Sequence, residues 1–193
     1  MIRFFKKIYP IQQEKMRIKI QKILTVLALS FFMVPAKNCM AKNNVRDSII
    51  VYVFLSESCP ICRNQTLSLR ELYKSYQHHS IGFVGVFPNL EHSSQETIEK
   101  FGKKYHLKFP LIRDESHILT KRFSAVVTPQ VFVVQQSTGN ILYCGKVDNS
   151  FESIGKRRSV ITEFYLRDAL DALIRNKDVL LSVTQPVGCY IVK

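Results

Sequence analysis

A short apolar strand that leads into two closely spaced cysteines constrains the fold of this chain more than any other feature. Residues 51–55 are rich in β-branched and aromatic side chains, which favours a buried strand. Cys59 and Cys62 follow, and helical spacing of apolar residues predicts a helix from about Pro60 to Tyr76. Proline suits the first turn of a helix, because a backbone N–H at that position would have no hydrogen-bond partner within the helix. Two thiols within one turn at a helix start favour redox chemistry over half of a zinc site.

The N-terminal segment has the composition of an export leader. Of 28 Lys and Arg residues, nine lie in residues 1–44 against one acidic residue, so the basicity does not indicate a nucleic-acid partner. The apolar run 23–34 is typical of a secretory signal and shorter than the about 20 residues of a membrane span. We predict a leader over residues 1–41, with Met16 as an alternative start. The mature domain is then periplasmic or otherwise extracytoplasmic, or tethered to the membrane through an uncleaved leader.

Beyond the cysteines, strands and helices are predicted to alternate. Apolar runs rich in β-branched residues predict strands at residues 48–55, 81–87, 109–112, 130–134 and 141–146, the last two forming a hairpin. Three further helices are predicted. One begins at a capping box formed by residues 93–96, one follows a cap at Asp114, and one begins at Thr162. Residues 148–156 are interpreted as a polar loop. This order predicts an α/β fold with a central mixed sheet and helices on both faces.

The cysteine motif and a downstream proline together resemble the thioredoxin superfamily. Phe54 precedes the two cysteines by the spacing of that superfamily, and Thr128-Pro129 stands before the predicted hairpin. Residues 109–114, after an inserted strand–helix unit, are similar to exported redoxin-domain and TlpA-type proteins, as is Cys189 after a glycine. The resemblance implies a thioredoxin-like domain over residues 45–176 and a tail over 177–193 that packs on it. It also implies a cis-proline at Pro129 and a Thr128 backbone that pairs with an extended substrate.

Cys59 is the predicted nucleophile and Cys62 the predicted resolving thiol. A thiolate attacks disulfides, and unpaired N–H groups at the helix start stabilise an anion at Cys59. A mixed disulfide at Cys59 would then be released by Cys62. We expect no cofactor beyond the redox-active disulfide and no metal, because no Cys/His cluster completes a structural zinc site. The expected partners are protein thiols and disulfides and an unidentified thiol electron donor.

Two further residues, Glu91 and Cys189, are weaker candidates. In TlpA-type reductases a carboxylate after the inserted strand accepts a proton, and Glu91 lies at about that place, although a solvated loop glutamate explains it equally well. Cys189 could approach another thiol as an additional member of the site. A packed, inert side chain is the simpler interpretation of both Cys189 and Cys144.

These residues predict an exported thiol–disulfide oxidoreductase that reduces protein disulfides outside the cytoplasm. The alternatives are a disulfide oxidant or isomerase, a copper-handling protein, since two close thiolates suit Cu(I), and a non-catalytic binding module. Peroxidase activity is not expected. Ser56 fits the hydroxyl position of the peroxidatic pattern P-x-x-x-T/S-x-x-C, but Tyr52 replaces its proline.

Overall fold

The computed structural model describes residues 48–192, so the predictions for the leader at residues 1–41 lie outside the described residues. The strands in chain order are β1 (Ile49–Phe54), β2 (Ile81–Phe87), β3 (Leu111–Arg113), β4 (Val127–Thr128), β5 (Gln130–Gln135), β6 (Ile141–Gly145), β7 (Phe151–Ser153), β8 (Lys156–Arg157) and β9 (Cys189–Tyr190). The helices are α1 (Pro60–Tyr76), α2 (Gln95–Lys104), α3 (Ile118–Phe123), which follows a 3-10 turn at Glu115–His117, and α4 (Tyr165–Ile174).

Five strands form the central sheet, in the order β3-β2-β1-β5-β6. β1 is parallel to β2, and β2 is parallel to β3, whereas β5 runs antiparallel to β1 and forms the predicted hairpin with β6. Val53 of β1, for example, faces Gly85 on one side and Val131 on the other. The mixed sheet confirms the predicted α/β, thioredoxin-like architecture, and β2 and α2 form the strand–helix unit that precedes residues 109–114.

The two sides of β1 contact different layers of the core, because successive side chains of a strand point in opposite directions. Val51 and Val53 belong to the larger apolar cluster, which includes residues of α1, α2 and α4. Phe54 belongs to a second cluster, where the ring of Phe123 from α3 stacks on Phe132 at a centroid distance of 5.1 Å. Each fully buried side chain of this size stabilises the fold by about 1.5–3 kcal/mol. Helices therefore cover both faces of the sheet.

Helix α1 spans the predicted residues, whereas the start of α2 differs from the predicted capping box. Ser94 is the N-cap, and its hydroxyl accepts a hydrogen bond from the backbone N–H of Thr97. Glu96 forms an ion pair with Lys100 rather than reaching back to the cap. The Ser93 hydroxyl instead donates to the Glu57 carboxylate, in the loop before the cysteines.

The predicted cap at Asp114 is confirmed, because its carboxylate accepts hydrogen bonds from the backbone N–H groups of Leu119 and Thr120 at 2.9 and 2.8 Å. The prediction that the last helix begins at Thr162 is wrong, since α4 begins at Tyr165. The side chain of Asn149 accepts a hydrogen bond from the Thr162 N–H at 3.1 Å, which ties this residue to another part of the chain before the helix starts.

Residues 148–156 are also more ordered than the predicted polar loop. Asp148, Asn149 and Ser150 are buried, and β7 pairs with β8 in a short antiparallel ribbon. The Asp148 carboxylate accepts a hydrogen bond from Gln65 of α1 at 2.7 Å, which attaches this segment to the helix that follows the cysteines. Sequence patterns missed this contact because its partners are far apart in the chain.

The C-terminal segment returns to the domain. Its strand β9 pairs antiparallel with β4, so that Thr128 faces Cys189 and Val127 faces Tyr190. Among residues 48–192, no helix combines the length and the apolar character that a membrane crossing requires.

Candidate active site

The turn between β1 and α1 positions the two cysteines of the motif. Cys59 is the N-cap of α1, with an extended backbone at φ −75° and ψ 118°, and Pro60 begins the helix. Cys62 lies one turn further along and is fully buried, while Cys59 is 1% exposed. The backbone N–H of Ser56 donates to the Cys62 sulfur at 3.4 Å. The strand-to-helix turn therefore places Cys59 at the start of α1 and buries Cys62 one turn further into the helix.

The segment predicted to bind substrate lies against Cys59. The Thr128–Pro129 peptide bond is cis, and Thr128 is fully buried. The Thr128 carbonyl oxygen lies 3.2 Å from the Cys59 sulfur and accepts a hydrogen bond from the Cys59 thiol when it is protonated. The structure thus brings together Cys59, Cys62, Thr128 and Pro129, which the motifs had singled out.

A third cysteine joins them. The Cys189 sulfur lies 2.8 Å from the Cys59 sulfur, with Cys189 as the hydrogen-bond donor. Its backbone is held by the pairing of β9 with β4, and its carbonyl accepts a 3.4 Å hydrogen bond from the Thr128 hydroxyl. Cys189 is therefore a direct neighbour of the candidate nucleophile and not merely a packed side chain. A glycine before a cysteine was the only sequence signal, and a two-residue strand has no periodicity to reveal it.

The three thiols have very different proton affinities. A hydrogen bond from Cys62 lowers the pKa of Cys59 to about 5. Burial opposes this effect, and a smaller contribution from Cys189 adds to the lowering. Burial raises the pKa of Cys62 well above its ordinary value, and the hydrogen bond and charge of Cys59 add to this. Burial, followed by the same two effects of Cys59, raises the pKa of Cys189 to about 12. At neutral pH the cluster therefore holds one thiolate, Cys59, between two thiol donors.

Glu91 is not connected to this cluster by any contact described for residues 48–192. It is exposed in the turn that follows β2, so its role as proton acceptor stays a prediction. The carboxylate fixed near the cysteines is that of Glu57, which accepts hydrogen bonds from Ser93 at 2.6 Å and from Thr97 at 2.8 Å. Both bonds hold the loop before Cys59 against the start of α2.

Two other side chains considered from the sequence are not among the hydrogen-bond partners described for the Cys59 sulfur. The Ser56 hydroxyl is 2.9 Å from that of Ser58, and the hydrogen bonds described for Cys59 do not include it. Cys144 packs against the smaller apolar cluster, and burial raises its pKa. No group of three or more His, Cys, Asp and Glu side chains within residues 48–192 is arranged to hold a metal ion.

Comparison with known proteins shows the family to which the chain belongs. Residues 34–143, more than half of the chain, match the AhpC/TSA family. The chain belongs to the AhpC/TSA family. The matched range contains Cys59, Cys62, Thr128 and Pro129, and it ends before Cys189.

Solved structures similar to this AhpC/TSA-family chain share its fold. An uncharacterized conserved protein from Geobacillus kaustophilus is 24% identical with a TM-score of 0.69, covering 76% of this chain and 78% of its own. A putative thioredoxin from Neisseria meningitidis is 20% identical with a TM-score of 0.53, covering 68% of this chain and 78% of its own. At these identities the likeness shows the thioredoxin-like fold alone.

A curated relative is a peroxiredoxin. Peroxiredoxin Bcp of Bacillus subtilis is 29% identical over 75 residues, which are 39% of this chain and 45% of the relative. The chain spans less than half the length of the curated relatives it matches.

Proposed function

We propose that this protein is a thiol–disulfide oxidoreductase that reduces protein disulfides with Cys59 and Cys62. The observation that carries the proposal is the opposite shift in pKa of two thiols on one helical turn. The pKa of Cys59 is lowered to about 5, whereas that of Cys62 is raised. A thiolate is the attacking species in disulfide exchange, so a thiolate beside a protonated partner is suited to the first step.

In the first step the Cys59 thiolate attacks one sulfur of a substrate disulfide. A bond forms between Cys59 and that sulfur, and the other substrate sulfur leaves as a thiolate and takes up a proton. The negative charge on Cys59 is lost in this mixed disulfide. Because that charge and its hydrogen bond help to raise the pKa of Cys62, their loss makes Cys62 easier to deprotonate.

In the second step the Cys62 thiolate attacks the Cys59 sulfur. The Cys59–Cys62 disulfide forms, and the second substrate sulfur leaves as a thiol, so the substrate gains two electrons and the protein loses two. An external thiol donor would restore the dithiol. The substrate is held next to Cys59 by backbone pairing with Thr128, which belongs to a strand edge that faces the sulfur.

We further propose that the protein acts outside the cytoplasm. The support for this is the basic segment followed by the apolar run 23–34, which has the layout of a secretory signal. Its partners would then be exported proteins with disulfides and an extracytoplasmic thiol donor, and an uncleaved leader would tether it to the membrane.

The test is reduction of insulin disulfides by the purified full chain with dithiothreitol as donor. Cys59→Ser is expected to reduce the rate to the uncatalysed background. Cys62→Ser combined with Cys189→Ser, which leaves no second thiol beside Cys59, should accumulate a mixed disulfide at Cys59 that mass spectrometry detects. Cys144→Ser is the matched control and should retain the wild-type rate, because Cys144 lies apart from the sulfur cluster. Full activity of Cys59→Ser, or an inactive wild type that binds Cu(I) tightly, would overturn the proposal.

A second candidate function is a thiol peroxidase, which membership of the AhpC/TSA family and the similarity to a peroxiredoxin favour. The Cys59 thiolate would attack a peroxide oxygen and become a sulfenic acid, with release of water or an alcohol. Cys62 would then form a disulfide with it and release water. Consumption of hydrogen peroxide with dithiothreitol as donor separates the candidates. A peroxide rate far above the rate of insulin reduction would favour the peroxidase.

A further inference from the structure

The strand edge proposed to hold substrate is already occupied by the C-terminal segment of the same chain. Thr128 pairs with Cys189, and the backbone N–H of Ile191 donates to the Val126 carbonyl at 3.0 Å. This is the antiparallel strand addition by which extended peptides bind to exposed sheet edges. The chain therefore places its own residues where an extended substrate would lie.

The fit is close at both ends of this segment, which we define as residues 188–192. A Cβ atom at Gly188 would lie 2.2 Å from the Thr128 carbonyl oxygen, so a residue with a side chain cannot approach this closely. At the other end, the backbone N–H of Val192 donates to the Asn89 side chain at 3.1 Å. Between these two contacts, the Cys189 sulfur lies 2.8 Å from that of Cys59.

We propose that Cys189 is a third redox-active thiol, which segment 188–192 presents to Cys59 in the position of a substrate cysteine. The proposal rests on the function proposed above for Cys59 and Cys62. It adds a second partner for Cys59 and a second oxidised form of the protein.

The exchange needs no external oxidant. In the Cys59–Cys62 disulfide form, the Cys189 thiolate attacks the Cys59 sulfur, the Cys59–Cys189 bond forms, and the Cys59–Cys62 bond breaks. Cys62 leaves as a thiolate and takes up the proton that Cys189 released, so electrons and protons balance within the chain. Cys59 carries no charge in the disulfide form, which removes two of the effects that raise the pKa of Cys189 in the reduced form.

The same strand also limits access to Cys59. The side chain is 1% exposed while segment 188–192 covers it, so an external disulfide must displace this segment to reach the sulfur. Competition between an internal and an external strand for one edge thus becomes part of the reaction cycle. Displacement both exposes Cys59 and removes Cys189 from it.

The decisive experiment is disulfide mapping on the full chain carrying Cys62→Ser, oxidised with glutathione disulfide. We expect a monomeric product with a Cys59–Cys189 linkage, identified by mass spectrometry of the unreduced digest. The linkage should be retained when Cys144→Ser is added and lost when Cys189→Ser is added. Glutathione attached to Cys59 with no Cys59–Cys189 linkage would overturn the proposal.

Activity separates this proposal from the function on which it rests. Cys189→Ser leaves Cys59 and Cys62 in place, so insulin reduction should still depend on both. If the wild type reduces insulin but its Cys62→Ser variant forms no Cys59–Cys189 linkage, the third thiol is rejected and the proposed function stays intact. A Cys59→Ser variant as active as the wild type would reject the proposed function itself.

A variant that keeps every cysteine tests the role of the strand. Gly188→Ala should push segment 188–192 away from Thr128, lower the yield of the Cys59–Cys189 linkage in the Cys62→Ser background, and increase the rate at which iodoacetamide alkylates Cys59. Gly82→Ala in β2 is the matched control, because its added Cβ meets neighbours only at ordinary contact distances of 3.9 Å. An unchanged linkage yield and alkylation rate in Gly188→Ala would contradict this presentation of Cys189.

Discussion

The helix start at Cys59 and the C-terminal strand β9 supply thiols to the same cluster by different means. Cys59 and Cys62 lie on one helical turn, so the motif itself sets their separation. Cys189 is 130 residues from Cys59 in the chain and reaches it through a strand pair of two residues. The reactivity of Cys59 therefore depends mainly on its local turn, whereas its accessibility depends on a short contact between distant residues.

The largest expected effect concerns the local turn. The alkylation rate of Cys59 should follow a pKa of about 5 in the wild type, because the thiolate is the reacting species. Cys62→Ala removes the strongest cause of this low value and should raise the pKa of Cys59 more than Cys189→Ala does. Iodoacetamide alkylation between pH 4 and pH 9, in about half-unit steps and followed by mass spectrometry, measures both shifts. A larger shift in the pKa of Cys59 in Cys189→Ala than in Cys62→Ala would show that β9, not the local turn, mainly sets the reactivity of Cys59.

The second prediction concerns stability and pH in the reduced protein. The pKa of Cys59 is lower in the folded than in the unfolded chain, so its thiolate stabilises the fold fully above the unfolded value and loses this effect as pH falls towards about 5. The free energy of unfolding of the reduced wild type, relative to that of Cys59→Ser, should therefore increase from pH 5 to pH 8. Urea denaturation of both proteins at these two pH values provides the measurement. An equal difference at both pH values would show that Cys59 is not a stabilised thiolate.

The same contrast explains which parts of this site could be predicted from the sequence. The bounds of α1 and the place of Cys59 were predictable, because a proline, a strand before it and helical spacing after it agree over adjacent residues. The start of α4 was not, since the side chain of Asn149 holds Thr162 from another part of the chain. Strand β9 was missed for a similar reason. Its two residues form no pattern, and only the backbone edge of β4 gives them a partner.

The third prediction concerns the reduction potential of the Cys59–Cys62 pair. The Cys59 pKa of about 5 lies between the approximate values of 7 for thioredoxin and 3.5 for DsbA, so we expect a potential between about −270 and −120 mV. Cys189→Ala removes one donor to the thiolate and should lower the potential by roughly 20 mV, or about 1 kcal/mol. Equilibration with glutathione redox buffers measures both values. A potential near the upper end would favour the oxidant alternative over the reductant.

The smallest effect is expected at Tyr190, the neighbour of Cys189. Its side chain is 78% exposed, and its place in β9 is held by backbone pairing with Val127. Tyr190→Ala should therefore leave the yield of the Cys59–Cys189 linkage in the Cys62→Ser background unchanged. Tyr190→Pro fixes φ at about −65°, away from the about −140° of an antiparallel strand, so it should disturb the pairing of β9 and reduce that yield. If alanine reduced the yield as much as proline, side-chain packing rather than strand pairing would hold Cys189 beside Cys59.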